Sequence, residues 1–211
     1  TSIISRTPPW ILGVRAATFA VHNGTQSDLK NALVGSNTTP IYGHISDYDQ
    51  YLEEARKDRT SSDQAVFLDQ YLPYHADYKV LKSGYIEPSY YYGLLGKLFK
   101  RVENELGLKV VIAAHPRSDY GYHADAFEDR RIEIGITPRL IAESRLVLAH
   151  NSCSIGLAAM LRKPVMLVAP DQHYYHAFYE KYYYDGFAAA LGTPLHRLDE
   201  PDKIDLSDVL S

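Results

Sequence analysis

The feature that most constrains this chain is the regular alternation of short apolar segments with amphipathic ones after residue 60. Five apolar segments have the length and β-branched content of strands: AVFLDQYL (65–72), LKVVIAAHP (108–116), RIEIGI (131–136), LVLAH (146–150) and PVMLVAP (164–170). Strand–helix–strand units repeated this often require right-handed crossovers between parallel strands. We therefore predict that residues 61–211 form a Rossmann-like α/β domain, a parallel sheet with helices on both faces.

The intervening segments carry helix signals. The longest opens at Glu87, continues with leucines at i, i+3 and i+4 spacing, and stops at Gly107. Thr137 is the expected N-cap of the next helix, CSIGLAAMLRK (153–163) forms another, and spacing from about residue 175 to 191 predicts the last, before a short strand PLHRL (194–198). Residues 1–60 are loop-rich and are expected to form an irregular N-terminal segment.

Composition excludes several classes of function. The net charge is −4 and the pI is near 6.1, so no overall positive field favours nucleic acid. The single cysteine, Cys153, indicates a reducing compartment, which we expect to be the cytoplasm. No apolar run approaches the roughly 20 residues of a membrane span. His173 and His176 lie at i, i+3 without a nearby cysteine or acidic ligand set, so we expect no metal site.

Two loops follow strands at the edge where parallel sheets bind ligands. The first contains His115 and Arg117, which follow the strand 108–114. A histidine ring nitrogen can donate to a phosphate or carboxylate, and an arginine can add a bidentate contact. The alternative is that His115 only caps the strand end and Arg117 is a solvated loop charge.

The second loop contains Asn151, Ser152 and Ser154, between the strand 146–149 and the helix that follows. Backbone N–H groups and hydroxyls at a helix start favour an anion. Plain N-capping is the alternative, although one cap needs only one such residue. Thr137 follows the strand 131–136 and is either a cap or a third ligand contact.

The strand ending in HP, with the later segment HNSCSIGLAAMLRKPVMLV, resembles the C-terminal nucleotide-sugar-binding half of GT-B glycosyltransferases. The resemblance covers about residues 65–200. It is to the bacterial sialyltransferases and Kdo (3-deoxy-manno-octulosonate) transferases of capsule and lipopolysaccharide synthesis. It implies that His115, Ser152 and Ser154 hold a CMP-sugar donor, with no further cofactor, for transfer to a surface polysaccharide or glycolipid acceptor. UDP-GlcNAc 2-epimerases share the layout but carry a glutamate where Leu157 and its neighbours stand here.

A transferase also needs a general base for the acceptor hydroxyl. Asp47 and Asp49 are candidates, although first-turn acids of a helix also explain them, and Asp69, in a mostly apolar strand, is the third. GT-B enzymes have two Rossmann-like domains, and 211 residues are too few for both. We therefore expect residues 1–60 to be a remnant of an acceptor domain, or the chain to act with a partner domain or as a homo-oligomer.

Two other functions remain open at the level of sequence. Ser152 to Gly156 read as S-x-S-x-G, a variant of the nucleophile elbow of α/β-hydrolases, with Ser154 as nucleophile. Asp171 and His196 would complete a Ser, Asp, His order. A non-catalytic nucleotide-sugar-binding module is the other alternative.

Overall fold

A computed structural model describes residues 11, 13–23, 34–76, 80, 85–176 and 180–210. The chain divides into two compact units, Thr1–Asp49 and Gln50–Ser211, so the division falls earlier than the expected boundary near residue 60. In the first unit, strands β1 (Phe19–Asn23) and β2 (Thr39–Gly43) pair in parallel. Helix α1 (Ser46–Ala55) begins in the first unit and ends in the second. The segment that was predicted to be irregular therefore contains two paired strands and a helix.

The second unit is built on a six-stranded sheet in which every pair is parallel. Its strands are β3 (Gln64–Leu68), β4 (Lys109–Ala114), β5 (Ile132–Ile134), β6 (Leu146–Ala149), β7 (Val165–Ala169) and β8 (Leu195–Arg197). The spatial order is β5-β4-β3-β6-β7-β8. The chain therefore winds outward from β3 to one edge and returns to β6 to build the other half, which confirms the Rossmann-like prediction. The direction of winding reverses between β3 and β6, and ligand crevices of such sheets open at that point.

The helices are α2 (Pro88–Leu106), α3 (Thr137–Glu143), α4 (Ile155–Met160), α5 (Asp171–His176) and α6 (Glu180–Leu191). Helix α2 follows the sequence signals closely. The Glu87 carboxylate caps it by accepting the Tyr90 N–H at 2.7 Å, and Gly107 ends it with φ +66°. Its buried stripe of Leu94, Leu95, Leu98, Phe99 and Val102 faces the sheet.

Alternate side chains of the central strands enter two separate cores, because successive residues of a strand point to opposite faces. Phe67 packs in the core that holds α2, whereas Val66 packs with Leu140 of α3 and Ile155 of α4. Both faces of the sheet are thus covered, which explains why the strands read as uninterrupted apolar runs.

Two local predictions were wrong. Thr137 is the first residue of α3, and Ile136, without a side-chain cap, takes the N-cap position. Ser154 is the N-cap of α4 but makes no side-chain capping bond, and that helix has only six residues. Of the helix expected from about 175 to 191, the described residues lie in α5, which begins earlier at Asp171, and in α6; residues 177–179 lie outside the described residues.

Candidate functional site

Asp69 lies directly after β3, at the carboxyl edge of the sheet and beside the point where the winding reverses. Its side chain is 5% exposed. Oδ1 accepts the Tyr71 N–H at 2.9 Å, while Oδ2 accepts the Tyr120 hydroxyl at 2.7 Å and the His115 N–H at 3.3 Å. Burial raises the pKa of Asp69, although these hydrogen bonds oppose the shift. The carboxylate is therefore a buried acceptor that joins the loops after β3 and β4.

His115 follows β4 and is fixed through both its backbone and its ring. Its carbonyl accepts the Ser118 N–H at 2.8 Å and the Ser118 hydroxyl at 2.7 Å. Its Nδ1 accepts the Arg117 N–H at 3.1 Å, so the neutral ring carries its proton on Nε2. The ring is half-buried and lies edge-to-face on His75, with centroids 5.2 Å apart. Arg117 itself is exposed. His115 is thus held at the carboxyl edge of the sheet, with the Arg117 N–H on its Nδ1.

His150 follows β6 but belongs to the core. It is fully buried, its Nδ1 lies 2.7 Å from the Val168 carbonyl, and its Nε2 lies 2.8 Å from the Tyr91 hydroxyl. Burial lowers the pKa of His150 to about 4. The ring is therefore neutral at physiological pH, donating from Nδ1 and accepting at Nε2, and it supports the turn that follows it.

The turn at 151–154 brings together the predicted polar residues and one that the sequence did not reveal. The Ser154 N–H donates to the Ser152 hydroxyl at 3.3 Å, and both serines are half-buried. The Asn151 side-chain N–H donates to Glu180, the first residue of α6, and burial raises the pKa of Glu180. Asn151 Oδ1 is buried without a hydrogen-bond partner among the described residues. No local pattern could have linked Asn151 to Glu180, because they are joined only by the fold.

Aromatic side chains line the β4 side of this edge. Tyr74 stacks on His123 with centroids 3.8 Å apart and planes 6° apart, and Tyr120 meets Tyr71 edge-to-face at 5.3 Å. Tyr71 has φ +55°, a left-handed conformation that costs a non-glycine residue free energy. The Asp69 bond to its N–H holds that conformation. No local sequence pattern singles out these rings.

The remaining predicted residues lie elsewhere. Thr137 follows β5, the edge strand, with β4 between it and β3. Asp47 and Asp49 lie in the first unit, in the first turn of α1, where Asp49 pairs with His44 at 3.2 Å. Their arrangement fits the first-turn role that the sequence also allowed.

The alternative hydrolase triad is not assembled by the described contacts. Asp171 forms an ion pair with Arg197. His196 lines a cavity of about 530 Å³ together with Lys163 and Val165, at the amino end of β7, whereas Ser154 follows the carboxyl end of β6. Within the described ranges, no group of three His, Cys, Asp or Glu side chains is arranged to hold a metal ion.

No family model matches the chain, and no curated protein matches it. The chain forms a Rossmann-like α/β domain with a histidine, a serine-containing turn and aromatic rings at the carboxyl edge of its sheet. In the part of the chain that is described, every helix is too short or too polar to cross a membrane.

Proposed function

We propose that this chain binds a nucleotide-activated sugar, with CMP as the nucleotide, and serves as the donor-binding half of a GT-B type glycosyltransferase. Its acceptor is a surface polysaccharide or glycolipid. The observation that carries the proposal is the His115 loop, which is held by Asp69 at the end of β3, the strand at the winding reversal, with the ring proton on Nε2. An N–H donor in that position suits a phosphate or carboxylate oxygen.

The turn after β6 supplies a second set of donors. Ser152 and Ser154 are half-buried in the turn after β6, the strand that adjoins β3 across the winding reversal. Arg117 is exposed on the loop of His115 and adds a positive charge there. Together these groups offer N–H and hydroxyl donors with one guanidinium, which suits a sugar phosphate without a metal ion.

The side chains after the turn favour CMP over a UDP-sugar bound in the epimerase manner. In that manner a glutamate of the helix contacts the ribose, and the matching positions here are Leu157, Ala158 and Ala159. Leu157 and Ala158 are buried in the core, with exposures of 1% and 0%, whereas Ala159 is exposed. None of the three side chains offers an acceptor for a ribose diol.

The general base stays a prediction. Asp69 is bound by three donors and almost fully buried, which makes it a poor acceptor for a proton from an acceptor hydroxyl. Asp47 and Asp49 remain the candidates for that role.

The test is ligand binding with a thermal shift and a chemical reporter. Cys153 is the only cysteine in the chain, is exposed, and lies between the two serines of the turn. We expect CMP to raise the melting temperature and to slow alkylation of Cys153, more than UDP or GDP does. His115→Ala should weaken CMP binding by more than about tenfold, or about 1.4 kcal/mol. His115→Gln should retain most of the affinity, because its amide can donate near the former Nε2 position.

Each contrary result has a specific meaning. If no nucleotide protects Cys153 or shifts the melting temperature, the proposed function is wrong. If UDP protects better than CMP, the nucleotide is wrong while the site stands. If CMP binds as expected but CMP-sugars are neither hydrolysed nor transferred to any acceptor, the chain is a binding module.

A further inference from the structure

The Asp69 carboxylate forms hydrogen bonds to both the loop after β3 and the loop after β4, in addition to the ring contacts between them. The register of the two strands pairs Leu68 with Ala113, so the chain leaves both strands side by side. Asp69 continues the pairing with its own N–H, which donates to the Ala113 carbonyl at 3.0 Å. The Asp69 side chain then accepts the Tyr71 N–H from the loop after β3 and the His115 N–H from the loop after β4.

The bond to His115 fixes the residue that contacts the ligand in the proposed function. His115 is held at its N–H by Asp69, at its carbonyl by Ser118 and at Nδ1 by the Arg117 N–H. With these three points set, the Nε2–H direction follows from the backbone. A displacement of the loop by 1 Å would misalign the donor, since hydrogen bonds weaken steeply away from linear geometry.

A buried phenol donates to the same carboxylate oxygen that accepts the His115 N–H. The Tyr120 hydroxyl donates to Asp69 Oδ2 at 2.7 Å, and the hydroxyls of Tyr120 and Tyr92 lie 3.5 Å apart. Burial raises the pKa of both tyrosines above the usual range, so both remain protonated. Tyr120 also contacts Phe127, with ring centroids 5.0 Å apart, which anchors it in the core behind α2.

We propose that Asp69, supported by Tyr120, is the positioning residue of the ligand site: it holds in place the His115 loop, whose histidine the proposed function assigns to the bound anion. The proposal rests on the proposed function for the identity of that anion, but not for the positioning itself. It gives Asp69 a role different from that of a general base, and it assigns a function to a tyrosine that sequence patterns did not single out.

The first measurement needs no ligand. Amide hydrogen exchange and the ¹⁵N shifts of the His115 ring are recorded for the wild-type chain, Asp69→Asn and Tyr120→Phe. We expect exchange at the His115 and Tyr71 amides to accelerate by about tenfold or more in Asp69→Asn, since a charged acceptor is lost. A smaller acceleration is expected in Tyr120→Phe. Tyr122→Phe is the matched control, because Tyr122 is 85% exposed, and it should change nothing.

The second measurement is the CMP dissociation constant of the same variants. We expect it to rise about tenfold in Asp69→Asn and a few-fold in Tyr120→Phe, while urea unfolding shows that both remain folded. If Asp69→Asn does not fold, Tyr120→Phe alone decides the proposal.

Unchanged exchange at His115 and an unchanged ring spectrum in the variants would overturn the proposal, whether or not CMP binds. Intact loop protection and CMP affinity with a lost turnover of CMP-sugar would also overturn it, because that pattern belongs to a general base. If the wild-type chain binds no CMP, the proposed function fails, while the exchange data still decide whether Asp69 positions His115.

Discussion

His150 provides a quantitative test of the core beneath the site. An unfolded histidine has a pKa near 6.5, and burial lowers the folded value to about 4. Between these two values the unfolded chain binds a proton that the folded chain does not. The free energy of unfolding therefore falls as pH falls, by about 1.4 kcal/mol per pH unit. Between pH 6.5 and pH 5, His150 alone should lower the free energy of unfolding by about 2 kcal/mol.

Other buried groups change stability over the same range, so the test uses a difference. Burial lowers the pKa of His173 to about 3, which adds a loss of the same sign. The raised pKa values of Asp69 and Glu180 act in the opposite direction, because protonation on acidification relieves the cost of their buried charge. Subtracting the unfolding free energy of a His150 variant from that of the wild-type chain cancels these contributions.

The variant is His150→Asn, whose amide nitrogen can take the place of Nδ1 and donate to the Val168 carbonyl. The assay is urea unfolding at several pH values between 6.5 and 5. We expect the wild-type chain to be more stable at pH 6.5 and its advantage to shrink by about 2 kcal/mol at pH 5. His176→Asn, at an exposed position, controls for removing a histidine as such. A wild-type advantage that stays constant across this range would refute the assignment of His150 as a buried neutral ring.

Two further predictions concern stability and are measured by urea unfolding. Glu54 is 6% exposed and its Oε2 lies 2.8 Å from Arg59 Nε. Glu54→Gln should therefore lower the free energy of unfolding by about 1–3 kcal/mol. Glu53→Gln, at an exposed neighbour, should leave it almost unchanged. Equal effects of the two variants would contradict the burial argument. Gly107→Ala should lower the free energy of unfolding by about 1 kcal/mol, because φ is +66° at that position. Gly93→Ala, in an exposed helix interior with open space around it, should raise the free energy of unfolding by about 0.5–1 kcal/mol. Two changes of the same sign would show that backbone conformation does not govern these positions.

Local sequence patterns predicted the elements well because each strand and helix carries its own periodicity. Helix α2 was predicted from Glu87 to Gly107 and is observed with the cap and the stop at those residues. The errors were at ends, as with Thr137, where one residue of shift changes a cap into a first-turn residue. Helix α4 was also shorter than its apolar spacing indicated.

The candidate site was only partly predictable. The sequence could place His115 and the serine turn at carboxyl ends of strands, because a strand that ends in polar residues is visible locally. It could not distinguish the roles of His115 and His150, since both follow apolar strands. Burial by Phe67 and Tyr91 makes His150 a core residue, and those neighbours come from β3 and α2.

The sequence by itself determined the fold class and which polar residues follow the strands at the carboxyl edge of the sheet, because hydrophobic periodicity and chain order are local properties. Only the tertiary structure decided the strand order, the register of Leu68 on Ala113, and hence the contact of Asp69 with His115. The physical reason is that such contacts depend on which strands pair and in what register. Residues 46 positions apart in the chain meet only when two loops leave the same sheet edge side by side.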